Sequence, residues 1–282
     1  MRLNRVHQML LLLALLQAGS LPGDVSALSF NIRYGTAADG ADAWPHRQAQ
    51  VIGVIQSHHP DILGVQEALD FQLEGIEAGL PEYGRVGAGR EDGARQGEFS
   101  AILYRRSRFE VREQGTFWFS PTPEVPGSTG WGNNITRICS WARFYDRESS
   151  RSFYVYNLHL DHESSPSRER SAELLARRIS ERGNQDPVLV LGDFNAGEDQ
   201  PPLLYLLKNV PLTDTFRALY PDATQVATYH AFTGRTEGPK IDHILVSSDW
   251  SPQSAGIDRS HQAGRYPSDH YPVYAVVRLA PR

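Results

Sequence analysis

Apolar runs in this 282-residue chain stop abruptly on amides, carboxylates and imidazoles. Phe30-Asn31-Ile32-Arg33, Val65-Gln66-Glu67, Gly192-Asp193-Phe194-Asn195 and Ser268-Asp269-His270 each lie where a hydrophobic stretch ends. Such endings constrain the fold strongly. The elements that carry them must stack so that their tips, and the loops beyond, converge on one edge.

Residues 25–32 alternate, with Leu28, Phe30 and Ile32 on one face and Ser29 and Asn31 on the other, which predicts a strand. Residues 45–57 place Val51, Ile52, Val54 and Ile55 at helical spacing, with Pro45 near the start. A short buried strand at 62–65 runs into Gln66-Glu67, and a helix is expected over 69–79. Strands are expected at 99–104, 111–119 and 138–145, the last two separated by a Pro/Gly/Ser-rich loop at 120–134. A strand at 153–160, a helix at 171–182 and a fully apolar strand at 188–191 follow, then strands at 241–246 and 273–279. Strands alternate with helices early and late, around a strand-rich middle. That pattern predicts an α+β sandwich, two stacked sheets with helices outside.

The length suits one large domain, and no linker or fixed-period repeat divides it. The net charge of −5 does not supply the basic face of a tight, non-specific DNA binder. Lysine is confined to Lys208 and Lys240, so phosphate contacts fall mainly to Arg. Arg2, Arg5 and the apolar run 9–16 read as a secretory signal over 1–20, with Ala18-Gly19-Ser20 as the cleavage region. An uncleaved anchor stays open. The expected location is secreted or periplasmic. Cys139 is the only cysteine, so no intrachain disulfide can form, and its apolar surroundings suit a small buried hydrophobe.

Asp193 and Asn195 share a face, with Phe194 turned the other way. A carboxylate beside an amide can hold a metal-bound phosphate and a leaving oxygen, although an Asx turn closing a strand reads equally well. Asp269 beside His270 suits a metal ligand next to a general base. Asp242 lies inside an apolar run and needs a partner, which His270 would provide. Glu67 and Asn31 are individually ordinary. His159 shares a face with Asn157 and Asp161, and can donate to a phosphate oxygen or serve as a core histidine. Hard oxygen ligands, amides and a histidine suit a divalent-metal phosphoester hydrolase. No Gly-x-Ser-x-Gly elbow, His-Glu-x-x-His pair or Walker loop is present.

Together, Ser29-Phe30-Asn31, Val65-Gln66-Glu67, Asn157-Leu158-His159-Leu160, Gly192-Asp193-Phe194-Asn195, Ile241-Asp242-His243 and Ser268-Asp269-His270 resemble the endonuclease/exonuclease/phosphatase (DNase I-like) superfamily, in family order. The resemblance runs from Val25 to Leu279 and implies a domain over 25–282 with a four-layer α/β sandwich. It implies Glu67 as principal Mg²⁺ ligand with Asn31 and Asp269, Mn²⁺ being an alternative ion. It implies Asp193 and Asn195 at the phosphate and leaving oxygen, His270 as base held by Asp242, and His159 as donor to a non-bridging oxygen. The segment 130–144 resembles a bacterial branch near the deadenylases, nocturnin among them, in which Arg137 would face the phosphate.

The expected reaction is one-step, in-line hydrolysis by activated water. A nuclease of 3′–5′ exonuclease type on single-stranded nucleic acid leads the expectations, with Arg85, Arg90, Arg95, Arg105 and Arg106 as a possible track or as ordinary solvated charge. A phospholipid (sphingomyelinase-like) or sugar-phosphate esterase is the alternative. There Phe117, Trp118, Phe119 and Trp131 would form an apolar lip around a lipid head group, or else pack as core. A non-catalytic binding module on the same scaffold is a third class. No obligate protein partner is expected, and the chain is expected to be a monomer.

Overall fold

The computed structural model describes residues 23–281. The expected signal at 1–20 lies outside the described residues. Two six-stranded mixed sheets stack face to face, with helices on their outer faces. The first sheet contains β1 (Asp24–Asn31), β2 (Ile62–Ala68), β3 (Tyr83–Val86) and β4 (Phe99–Arg105). The second contains β5 (Phe109–Trp118), β6 (Ile138–Asp146), β7 (Arg151–His159), β8 (Val188–Asp193), β9 (Leu212–Asp214) and β10 (Asp242–Ser247). The chain then returns to the first sheet with β11 (Trp250–Ile257) and β12 (Val273–Leu279). The orders are β11-β12-β1-β2-β4-β3 and β5-β6-β7-β8-β10-β9.

Each sheet is antiparallel except for one central parallel pair, β1 with β2 and β7 with β8. Parallel neighbours need a crossover, and a helix provides it both times. α1 (Trp44–His58) joins β1 to β2, and α3 (Ser165–Ser180) joins β7 to β8. α2 (Asp70–Gly79) follows β2, while α4 (Pro201–Asn209) and α5 (Thr215–Leu219) flank β9.

The period of two decides which side chain enters which layer. In β1, Val25 and Ala27 face the opposite sheet, and Leu28 and Phe30 pack under α1 with Val51 and Ile55. In β8, Leu189 and Leu191 face inward, while Val190 packs with Leu174, Leu175 and Leu203 of α3 and α4. The same alternation sets Asn31, Gln66, Asn157, His159, Asp193 and Asp242 in the layer between the sheets, where the strands end. Below that rim the two sheets are linked by polar side chains. Asn157 Nδ2 donates to Val65 O (3.0 Å) and Ala101 O (2.8 Å), and Gln66 Nε2 donates to Asn157 Oδ1 (2.7 Å). Gly64 permits this approach, since a Cβ there would lie 1.7 Å from Leu191 Cδ1 and 2.8 Å from Asn157.

The helix expected over 171–182 begins earlier, at Ser165. Ser164 caps it by accepting the Ser167 N–H, and Pro166 occupies the first turn. Those turns are polar and give no apolar periodicity. The elements β3, β9, β11, α4 and α5 were not expected. β11 is an edge strand with Pro252 beside a bulge and alternating polar residues, a pattern that reads as loop. Phe117, Trp118 and Phe119 are core residues rather than a lip.

Candidate active site

The carboxyl ends of the two parallel pairs open on the same rim. Asn31 ends β1, His159 ends β7 and Asp193 ends β8, with Glu67 next to last in β2. Two of these chains leave the extended conformation to present a side chain. Glu67 has φ 59°, beside an irregularity in the β2–β4 pairing, and Asn195 has φ 45°. Left-handed backbone at a non-glycine residue costs on the order of 1 kcal/mol and concentrates at functional sites. Gly192, at φ 148°, has room for no side chain, because a Cβ would lie 2.2 Å from Leu158 O.

Asp193 is the hub. Its Oδ2 accepts from Asn31 Nδ2 at 3.0 Å and lies 3.5 Å from His159 Nε2 and 3.8 Å from His270 Nε2. Its Oδ1 accepts the Asn195 N–H at 2.9 Å. Asp242 stands opposite Asp193 across β8 and β10, and its Oδ2 meets His270 Nδ1 at 2.9 Å. That contact leaves His270 Nε2 facing the cleft. Asn31 Nδ2 also donates to Glu67 Oε1 (3.0 Å), and Tyr34 N–H donates to Glu67 Oε2 (2.9 Å). Ser268 Oγ donates to Asn31 O (2.7 Å), which ties the segment before β12 to the end of β1. The site residues expected from the sequence therefore converge. Glu67, Arg137, His159, Asp193, Asn195, Asp269 and His270 line one cleft of about 390 Å³ together with Arg33, Arg90, Glu98 and Tyr229, none of which was singled out as a site residue, while Asn31 and Asp242 sit behind its lining, hydrogen-bonded to Asp193 and His270.

Burial and crowding set the charges. Burial first, then Asp242, raises the Asp193 carboxyl to about 7. Burial, reinforced by Glu67, also raises Asp269. Burial alone would depress His270. Asp242, Asp193 and Asp269 outweigh it and hold the imidazole well above its ordinary value. His159 is driven the other way, by burial and then by Arg137 and Arg90, and stays neutral.

Glu67, Asp193, Asp242 and Asp269 crowd one rim around His270, and Asp242 Oδ1 has no hydrogen-bond partner among the described residues. Such an excess of hard oxygen donors fits a divalent cation. Asp193, Asp242 and His270 form the tightest group, with ligand atoms within 4.8 Å of one another. Two of them are already spent on the His270–Asp242 hydrogen bond, and imidazole is a poor ligand for hard cations. Glu67 and Asp269 are the better pair. Asn31 meets Glu67 through its nitrogen here, while its Oδ1 accepts the Arg33 N–H (3.0 Å), so it spaces the carboxylates in this arrangement.

Guanidinium groups line the same cleft. Arg137 is buried, with Nη2 2.7 Å from His162 Nδ1 and Nε 3.5 Å from Asp161 Oδ2. Arg33 forks onto Asp39 and lies 3.8 Å from Asp269. Behind the rim, Arg47 of α1 is buried and donates to Ile32 O (3.0 Å) and Pro267 O (2.6 Å), so it joins the backbones leading to Asn31 and to His270. Asn195 Nδ2 donates to Leu160 O (3.0 Å) and is 3.0 Å from His159 Nε2.

Solved structures resemble this one closely. An endonuclease/exonuclease/phosphatase family protein from Bacteroides thetaiotaomicron superposes with a TM-score of 0.84 at 33% identity, over 91% of this chain and 95% of that one. A mannosyl-6-phosphatase from the same organism gives 0.83 at 33% identity, over 90% of this chain and 100% of that one. The human Nocturnin catalytic domain with bound sulfate gives 0.72 at 18% identity, over 92% and 94%, and shares the fold. The family model described as "Endonuclease/Exonuclease/phosphatase family" matches residues 28–270, and the chain belongs to that family of phosphoester hydrolases.

Proposed function

We propose that this protein is a Mg²⁺-dependent phosphatase acting on a small, polar phosphomonoester, with sugar phosphates the favoured class. The observation that carries this reading is the compact cleft of about 390 Å³, lined by carboxylates, His270 and guanidinium groups. A volume of that order suits a small molecule. The solved mannosyl-6-phosphatase, at 33% identity over its full length, supports the same substrate class.

A nuclease reading calls for a free basic track. The arginines that would form one are engaged within the fold. Arg85 pairs with Asp70 and Glu77, Arg95 with Asp70 and Glu74, and Arg105 with Asp61. Arg106 donates to Tyr83 O, and Arg90 lies inside the cleft against Glu98. These pairings favour a small substrate over a polynucleotide.

Glu67 and Asp269 would hold the cation, and Mn²⁺ fits the same oxygen set. When bound, it supplies Lewis-acid polarisation of the phosphoryl oxygens and offsets the surplus of carboxylates. Offsetting Asp269 would remove one of the carboxylates that favour the protonated His270 imidazole, and the neutral ring is the form that acts as a base. His270 Nε2 then takes a proton from water as the new P–O bond forms in line with the departing ester oxygen. Asp242 fixes the Nδ1–H tautomer and steadies the imidazolium. Arg137 and His159 would face the equatorial phosphoryl oxygens, and Asp193 with Asn195 would lie beside the leaving oxygen, which takes the Asp193 proton and departs as an alcohol; the proton collected by His270 then restores the Asp193 carboxyl 3.8 Å away. Fixed donors of this kind contribute about 10²–10³-fold each. The leader-like residues 1–20 support an extracytoplasmic location.

The test is a panel of hexose 6-phosphates, phenyl phosphate, a short oligonucleotide and sphingomyelin vesicles, each with Mg²⁺ and with EDTA. The reading expects Mg²⁺-dependent phosphate release, fastest from a hexose phosphate. Faster cleavage of the oligonucleotide or the lipid would sink it.

A further inference from the structure

Arg90 and Glu98 form a largely buried ion pair at the cleft wall that the hydrolytic chemistry leaves unused. Arg90 Nη1 donates to Glu98 Oε2 at 2.7 Å, and the two side chains are only 14% and 13% exposed. Both line the main cleft with Arg137, and both wall a niche of about 10 Å³ behind it, beside His159 and Ser100. Burying an ion pair rarely adds stability over apolar packing, so its presence calls for another reason.

The pair is also incompletely used. Among the described residues nothing hydrogen-bonds Arg90 Nε, although that atom is buried. The single Arg90 bond occupies one of roughly four acceptor positions on a carboxylate. The backbone beneath is rigid. In the turn between β3 and β4, Arg90 N–H donates to Glu98 O (3.1 Å) and Glu91 N–H to Gln96 O (3.1 Å). Trp118 Nε1, from β5, donates to Arg90 O at 2.6 Å. Donors and acceptors held this way pay little ordering entropy when a ligand arrives.

The charge on the pair indicates what it recognises. Arg90 and Glu98 neutralise each other, so together they offer no net attraction for a second anion. A lone Glu98 would repel a phosphate, and a lone Arg90 would draw it away from Arg137. A neutral pair whose carboxylate keeps spare acceptor positions matches neighbouring hydroxyl groups, which donate to Glu98.

We propose that the Arg90–Glu98 pair is the subsite for the hydroxyl-bearing part of the substrate, selecting a polyhydroxylated phosphomonoester over one with an apolar leaving group. This rests on the phosphatase reading above and adds the part of the substrate that is recognised.

The experiment compares kcat/KM for a hexose 6-phosphate and for phenyl phosphate in the wild type, in Glu98→Gln and in the double variant R90Q/E98Q. The double variant replaces the pair by two neutral amides of similar size. Melting curves confirm that each variant is folded. The wild-type ratio should favour the hexose phosphate, and should fall about 10²-fold in both variants, since a site built to bond hydroxyls discriminates strongly against their absence. A ratio that stays constant in folded variants overturns the subsite while leaving the phosphatase reading intact. Failure of the wild type to hydrolyse either ester overturns the phosphatase reading and the subsite with it.

Discussion

Replacing Asp193 by Asn should make the cation-free protein more stable at alkaline pH and slightly less stable at acid pH. The native Asp193 carboxyl is raised from 3.8 to about 7, by burial and then by Asp242. Its native form therefore keeps a proton that the unfolded chain releases across that interval. Stability falls as pH rises through the interval, by about 1.4 kcal/mol per pH unit. Above pH 7 the accumulated penalty reaches at most about 4 kcal/mol, and Asp193→Asn removes it. The substitution has its own cost. Oδ1 and Oδ2 accept from Asn195 N and Asn31 Nδ2, so an amide nitrogen must face one of these donors, a loss of about 1 kcal/mol. In EDTA, the variant should be less stable by about 1 kcal/mol at pH 4 and more stable by up to about 3 kcal/mol at pH 8. Urea denaturation at the two pH values measures the difference. A stability change of the same sign and size at both would refute the assignment of strain to this carboxyl.

Other outcomes follow from the same geometry. Glu67→Ala and His270→Ala should each lower kcat by about 10²–10³-fold at saturating Mg²⁺, and near-wild-type turnover in either would remove that residue from the reaction. Arg137→Lys should restore little of the activity lost in Arg137→Ala, because an ammonium cannot reproduce a planar fork; steady-state kinetics of the two variants decide it. Asp214 is held below the usual carboxylate range, burial being outweighed by Lys240 and His243. Its contribution is present above about pH 4 and is lost as pH falls below that, so Asp214→Asn should lower Tm at pH 7 and progressively less towards pH 2. Gly64→Ala would put a methyl group 1.7 Å from Leu191 Cδ1 and should cost about 3 kcal/mol or more, read as a lowered urea midpoint.

The site was legible in the sequence wherever a strand carried it. Counting in twos from Val25 and Ala27 through Ser29 delivers Asn31 to the inner layer, and the same count delivers Asp193 from Leu189 and Leu191. Asp242 was legible because a carboxylate in an apolar run demands a partner, and His270 is that partner. Arg90 and Glu98 escaped because they flank a turn with no periodicity. The backbone at Arg90 is held by Trp118 Nε1, which arrives from another sheet. The sequence groups Arg90 with arginines that would follow a nucleic-acid backbone, and it lies in the cleft instead. Arg47 escaped as well. A polar residue within a helix reads as surface, and its backbone partners Ile32 and Pro267 are remote in sequence from each other.

The two sheets repeat one plan, and the last two strands of the chain complete the first sheet rather than the second. Severing the backbone within 120–134 would thus strand β1–β5 without the β11–β12 hairpin on which β1 closes, and would separate Asn31 and Glu67 from Asp193 and His270. Neither fragment could retain a fraction of the turnover on its own. Hydrolysis in such a nicked enzyme would report reassembly of the whole molecule, in an all-or-none manner, and would scale with the product of the two fragment concentrations.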